Sequence, residues 1–173
     1  MKITMAILAL ILCLTGCGSL QTYETLSDVP VEMTQPTPKT VFLELPESSA
    51  RPVMQSDSGD RLYLCDGYTI SVQVFASGDL EKTLREITGH STAQLQLIKT
   101  KQDALACYDC VWTAAGEEGL QTGRLHLLDD GNYHYAVSVM ADAALSGQLQ
   151  SQIGGIMRSI CLMEPSELPN TGS

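Results

Sequence analysis

From Arg61 onward the apolar residues fall on every second position, in runs broken by turn residues. This period of two constrains the fold more than any other feature, because only a strand puts alternate residues on one surface. "RLYLC" (Arg61–Cys65) and "YTISVQVFA" (Tyr68–Ala76) flank the turn Asp66-Gly67, with Ile70, Val72 and Val74 on one face of the second strand. "DLEKTLREITG" changes period: Leu80, Leu84 and Ile87 make a helical stripe, acids cluster at its start, and Gly89 follows as a C-cap. Alternation returns in "QLQLIKT", "ALACYDCVWTAAG", "GLQTGRLHLLDD" and "NYHYAVSVMA". A closing helix over about Ala143 to Leu162 carries Leu145, Leu149, Ile153, Ile156, Met157 and Ile160 on one stripe. The reading is an α+β fold of order ββαββββα, an antiparallel sheet with one apolar face under the long C-terminal helix. Trp112 is then a core residue beneath that helix. Gly154-Gly155 would let the helix approach the sheet.

The hairpin around Asp129-Asp130-Gly131 can be read in more detail. A three-residue loop places both aspartates in a right-handed turn and Gly131 in the left-handed position. It opposes Leu127 to Tyr133 and Leu125 to Tyr135, so the apolar faces match. A two-residue loop would oppose Leu127 to His134 and mix the faces, and a one-residue slip moves a whole face. The first register sets His126 across from His134 on the polar face, with Arg124 alongside. Two histidines can begin a metal site, but zinc wants three or four ligands. His90 is distant and Arg124 repels a cation, so a solvated pair is the simpler reading and no cofactor is expected.

The N-terminus has a different character. Met1-Lys2 gives a positive start, and Ile3 to Leu14 is an apolar run of about a dozen residues where a spanning helix needs about twenty. Those are the proportions of a signal-peptide core rather than a buried helix or an uncleaved anchor. The run ends in Leu14-Thr15-Gly16-Cys17, which resembles the lipobox of bacterial lipoproteins. The resemblance implies cleavage after Gly16 and a lipid on Cys17, the protein's contact with the bilayer. Each buried methylene contributes about 0.8 kcal/mol, so one acyl chain holds a membrane marginally and two or three hold it firmly. The residue after Cys17 is Gly18, not an aspartate, resembling the pattern sent to an outer membrane in a host that has two. The expectation is an exported protein anchored to the cell membrane, or to the outer one.

The expected organisation is a signal peptide (1–16), a lipidated Pro/Ser/Thr-rich tether (17–60), a globular domain (61–163) and a flexible tail (164–173). Pro30, Pro36, Pro38, Pro46 and Pro52 are spaced without period, as in a linker. Within it "VFLEL" (Val41–Leu45) alternates and fits an added edge strand.

Charge and cysteines narrow the function. The signal carries one of the ten basic residues and none of the twenty acids, so its removal takes the formal charge from −10 to −11. A surface that acidic repels phosphate backbones, which sets nucleic acid aside as a partner. Beyond the signal and Cys17 remain Cys65, Cys107, Cys110 and Cys161, an even number outside the cytoplasm. Structural disulfides or unpaired thiols are expected, with Cys65–Cys161 and Cys107–Cys110 as the preferred of three pairings. Cys107-Tyr-Asp-Cys110 has the spacing of a redox pair but lies in strand sequence, not at a helix N-terminus. Residues three apart on a regular strand also face opposite ways. There is no GxSxG and no phosphate-cradling glycine loop, and Glu117-Glu118 read as solvated turn acids, so no enzyme is expected.

The element order, ending in "GNYHYAVSVMADAALSGQLQSQIGGIMRSICL", resembles the PsbP-like fold shared by the photosystem PsbP subunit and DcrB-type bacterial lipoproteins. Tyr133 to Val139 match its Y-x-Y-x-V-x-V strand, and Ile156 to Ile160 its helix end. The resemblance spans about Arg61 to Leu162 and implies an accessory or scaffold subunit with no common catalytic residue. The expected function is a membrane-anchored, non-catalytic accessory or binding module, with another envelope protein as partner. The alternatives are a thiol–disulfide redox lipoprotein using Cys107 and Cys110, and a metal- or solute-binding one using His126 and His134.

Overall fold

The computed structural model describes residues 36–49, 51–116 and 119–164. The chain divides into Met1–Thr34 and Gln35–Ser173, and the described residues belong to the second unit. Cys17, the lipobox and Glu117-Glu118 lie outside them.

Among the described residues, nine strands and two α-helices make an α+β fold. The strands are β1 (Thr40–Phe42), β2 (Met54–Gln55), β3 (Arg61–Cys65), β4 (Tyr68–Ala76), β5 (Ile98–Gln102), β6 (Leu105–Gly116), β7 (Gly119–Asp129), β8 (Tyr133–Asp142) and β9 (Cys161–Met163). Helix α1 (Leu80–Thr88) follows β4, and α2 (Ser146–Ser159) follows β8. Seven strands form one antiparallel sheet of order β2-β3-β4-β8-β7-β6-β5, while β1 and β9 pair separately. The order differs from the expected one by three short strands, β1, β2 and β9.

Helix α1 is bounded as its sequence requires. The Asp79 carboxylate accepts from the Lys82 N–H at 3.1 Å, and Gly89 ends the helix at φ 75°, donating to the Arg85 carbonyl.

The sheet is apolar on both faces, not on one. Ile70, Val72, Tyr135, Val137 and Val139 pack under Ile153 and Ile156 of α2. Tyr108, Trp112, Leu125, Leu127 and Ala136 pack under Leu84 of α1. The short helix therefore covers a second core, and Trp112 belongs to it rather than lying beneath α2. Two covered faces are the physical reason why β8, between β4 and β7, is buried at almost every position.

The hairpin register departs from expectation for the same reason. Asp129 pairs with His134, Leu128 with Tyr135 and Leu127 with Ala136. The loop is Gly131-Asn132, with the Asp130 N–H donating to the Tyr133 carbonyl at 3.2 Å. Gly131 takes φ 89°, as the first central residue of such a turn can when it lacks a side chain. Matching one apolar face cannot select a register where both faces are buried, so the aspartates decide it. Asp130 Oδ1 accepts from the Asn132 and Tyr133 N–H groups at 2.9 and 2.8 Å, and Asp129 Oδ1 from Gly131 at 2.8 Å.

Three further expectations need correction. The segment expected to be tether up to residue 60 belongs to the body from Thr40: Val41 is 2% exposed and Leu43 is buried beside it in the α2-face core. The long helix ends at Ser159, not Leu162, because Ile160 turns extended and sends Cys161–Met163 along β1. The Ser159 hydroxyl accepts from the Glu44 N–H at 2.8 Å and ties the ribbon down. Gly154 and Gly155 do not meet the sheet: Gly155 faces open space, and only Arg158 of the helix itself lies near Gly154.

Candidate functional site

Rows of paired residues run across the α2 face, and their chemistry changes along the way. One passes from Tyr63 and Ile70 through Val139 to Arg124 and Val111. The next passes from Val72 through Val137 to His126, Asp109 and Ile98. The apolar ends lie in the core that α2 covers. The ends on β5, β6 and β7 lie on the same face beyond it: Ile98 is 62% and Val111 54% exposed. Exposed apolar side chains that sit together on a rigid sheet mark a contact surface more often than scattered ones do.

Arg124 occupies the border between the covered and open halves. Its side chain is half-buried between Val111 and Val139. Two concavities meet there. One, of about 510 Å³, also takes in Gly147, Ser151, Gly154 and Arg158 of α2. The other, of about 340 Å³, takes in Ile98, Asp109, Val111 and Met157. The Arg158 guanidinium folds back along its helix, with Nη1 3.3 Å from where a Cβ on Gly154 would stand. Among the described residues, no hydrogen bond or ion pair reaches either guanidinium. Asp109 is occupied elsewhere: its Oδ1 lies 2.7 Å from His126 Nδ1.

The two histidines do not meet. Asp129↔His134 pairing puts His134 on the α1 face, whereas His126 pairs with Val137 on the α2 face. The expected cross-strand pair depended on the other register. His134 is 2% exposed, with Nδ1 2.9 Å from Thr83 Oγ1 and Nε2 3.9 Å from Asp129 Oδ2. It helps join α1 to β8. His90 Nε2 lies 3.3 Å from the Thr113 carbonyl oxygen, away from both. Among the described residues no three His, Cys, Asp or Glu side chains gather where a metal could bind.

The cysteines lend the expected disulfides no support and remove the support for the redox reading. All four described cysteines are free thiols. Cys107 belongs to the α2-face core and Cys110 to the α1-face core. β6 pairs without a bulge from Ala106 to Gly116, so the sheet separates the two sulfurs. Burial pushes the Cys107 thiol up, and burial together with the Asp109 charge pushes Cys110 up to about 11. Both are thereby held away from the thiolate that redox exchange requires. Cys65 lies at the end of β3 opposite Tyr68, and Cys161 lies in the separate ribbon opposite Phe42.

Sequence reading missed Arg124, Arg158 and Asp109 as a group. A signal was present: Thr122, Arg124 and His126 interrupt one phase of a strand whose same phase ends in the buried Leu128. Arg158 reaches the same place only through the fold.

No family model and no curated protein matches the chain. Among solved structures it is similar to a Bacteroides thetaiotaomicron VPI-5482 protein, at TM-score 0.49 and 13% identity over 76% of this chain. The chain spans 50% of the length of that protein. It is also similar to LpqN of Mycobacterium tuberculosis, described as involved in cell envelope biogenesis, at TM-score 0.47 and 10% identity over 76% of this chain and 87% of LpqN.

Proposed function

We propose that the protein is a lipid-anchored, non-catalytic accessory or binding module of the cell envelope. In this reading Cys17 holds it to the bilayer and the open half of the α2 face makes its contacts. The lipobox-like Leu14-Thr15-Gly16-Cys17 supports the anchor, and the PsbP-like pattern of strand and helix supports an accessory role. The observation that carries the reading is the border at Arg124, where a covered apolar face gives way to exposed Ile98 and Val111. Burying those side chains against a partner would contribute about 25 cal/mol per Å² of apolar surface removed from water.

The test is site-directed photo-crosslinking of the full chain in its native membrane. A crosslinker at Val111 should give a discrete protein adduct, and one at Glu86, exposed on α1, should not. Identical adducts from both positions, or none from Val111, would overturn the contact surface. Cys17→Ser should move the protein out of the membrane fraction. Retention there would overturn the anchor.

A further inference from the structure

We infer that the cavity between Arg124 and Arg158, with the apolar strip beside it, binds a single-chain amphiphile with an anionic head, a carboxylate or a phosphate. This deepens the proposed function and rests on its reading of the open half-face as the binding surface.

The cations are the first ground. In a chain of charge −10, most of the described basic side chains are engaged. Lys39, Lys82 and Arg85 meet Glu164, Glu86 and Glu81. Arg61 donates to the Val41 carbonyl, and Lys99 lies over the Tyr108 ring. Arg124 and Arg158 instead line one cavity with no partner among the described residues. Its lining contains no carboxylate, and the Asp109 carboxylate that lines the adjoining concavity is held 2.7 Å from His126 Nδ1. Arg124 is half-buried and Arg158 exposed on the facing wall; a half-buried cation such as Arg124, without a partner, forgoes hydration and gains no ion pair in return. An oxyanion restores the balance, since the planar guanidinium fork matches the two oxygens of a carboxylate or phosphate. The acidic surface as a whole repels anions, so this attraction is local and needs close approach.

The walls are the second ground. On the α2 side Gly147, Ser151 and Gly154 are small, which leaves the head room beside Arg158. From Arg124 the adjoining concavity leads over Met157 and Val111 to Ile98 at the edge strand. An apolar tail laid there covers side chains that are otherwise exposed. Together the two hollows fall within the range of small-molecule sites. A bare phosphate would use the cations and leave the strip wet, whereas an uncharged alcohol would do the reverse.

The test is calorimetric titration of the chain from residue 17 onward, which contains every described residue, carrying Cys17→Ser so that no detergent is needed. The probes are dodecyl phosphate, laurate, dodecanol and inorganic phosphate, each below its aggregation concentration. Dodecyl phosphate or laurate should bind saturably, and the tighter of the two tells a phosphate head from a carboxylate one. Dodecanol and inorganic phosphate should each bind at least tenfold more weakly. Arg124→Gln and Arg158→Gln should each weaken the anionic probe about tenfold, with Arg124→Lys intermediate and Lys82→Gln without effect. Thermal unfolding of each variant separates lost binding from lost folding. Dodecanol binding as tightly as dodecyl phosphate, inorganic phosphate binding as tightly as either, or no saturable binding would each overturn the proposal. If binding fails while Val111 still crosslinks a protein, the ligand is wrong and the contact surface stands.

Discussion

The indole of Trp112 lies flat against the backbone of Gly123, its partner on the neighbouring strand: a Cβ built on Gly123 would sit 2.3 Å from Trp112 Cε2 and Cζ2. The glycine is what allows a side chain of that size to stay 6% exposed on the α1 face. Gly123→Ala should destabilise the protein by about 1–3 kcal/mol through overpacking. The Trp112→Leu background should remove most of that penalty, because the two residues share the contact. Urea unfolding of the four-member cycle checks it, and strictly additive losses would contradict the account.

Thr83 and His134 make a second buried contact, Oγ1 to Nδ1 at 2.9 Å, between α1 and β8. Thr83→Val keeps the shape and strands the imidazole nitrogen. A loss of about 1–3 kcal/mol is expected. Thr83→Ser should recover most of it. Equal stability of the Val and Ser variants would show that the hydroxyl contributes nothing.

The cysteines should differ sharply in reactivity. Cys161 is exposed, while Cys107 and Cys110 are buried. Iodoacetamide at pH 8 followed by peptide mapping should label Cys161 first and the β6 pair only after unfolding in urea. Cys65 should react at an intermediate rate, as its partial burial dictates. Resistance of Cys65 and Cys161 until a reductant is added would instead reveal a disulfide between them.

Stability should decline in alkali. Burial raises Cys110 to about 11, and burial also raises the Tyr68 and Tyr135 phenols. A group that holds its proton more tightly when folded contributes stability that is complete below its unfolded pKa and is lost as pH rises through the folded one. For Cys110 that window runs from about 9 to about 11, with a slope of at most roughly 1.4 kcal/mol per pH unit. Chemical denaturation across that range should show the decline, and Cys110→Ala should flatten it. An unchanged slope in the variant would remove Cys110 as its source.

Residues before Arg61 should matter to the fold. Val41→Asp places an unpaired charge against Leu43 and the α2-face core, at a cost of several kcal/mol. Phe42→Asp, at a half-exposed position beside it, should cost far less. Similar melting temperatures for the two variants would return this segment to the status of a linker.

What the sequence conveyed and what it concealed separate along physical lines. Period-two runs marked the long strands, and Asp79 and Gly89 bracketed α1, because each signal lies within its own element. The β1–β9 ribbon was hidden, since three residues opposite three others about 120 positions away leave no local period. "VFLEL" showed only that something there could pair. The histidine pair failed on parity: with Leu127 and Leu128 buried on opposite faces, face matching carries no information about register. The arginine cavity was invisible for a related reason. Arg124 could be seen as a polar break in an apolar strand, but Arg158 joins it only once α2 has folded across the sheet.

The ribbon also determines where the body can be pulled. Thr40 stands beside Met163, and Lys39 Nζ lies 2.9 Å from Glu164 Oε1 just outside that pair. The first and last described strands thus share one corner. Tension applied at Lys39 therefore loads the three residue pairs of the ribbon together with the 3.0 Å bond from the Lys39 N–H to the Tyr135 hydroxyl, which ties this corner to β8. Under such a load that corner is the mechanical fuse.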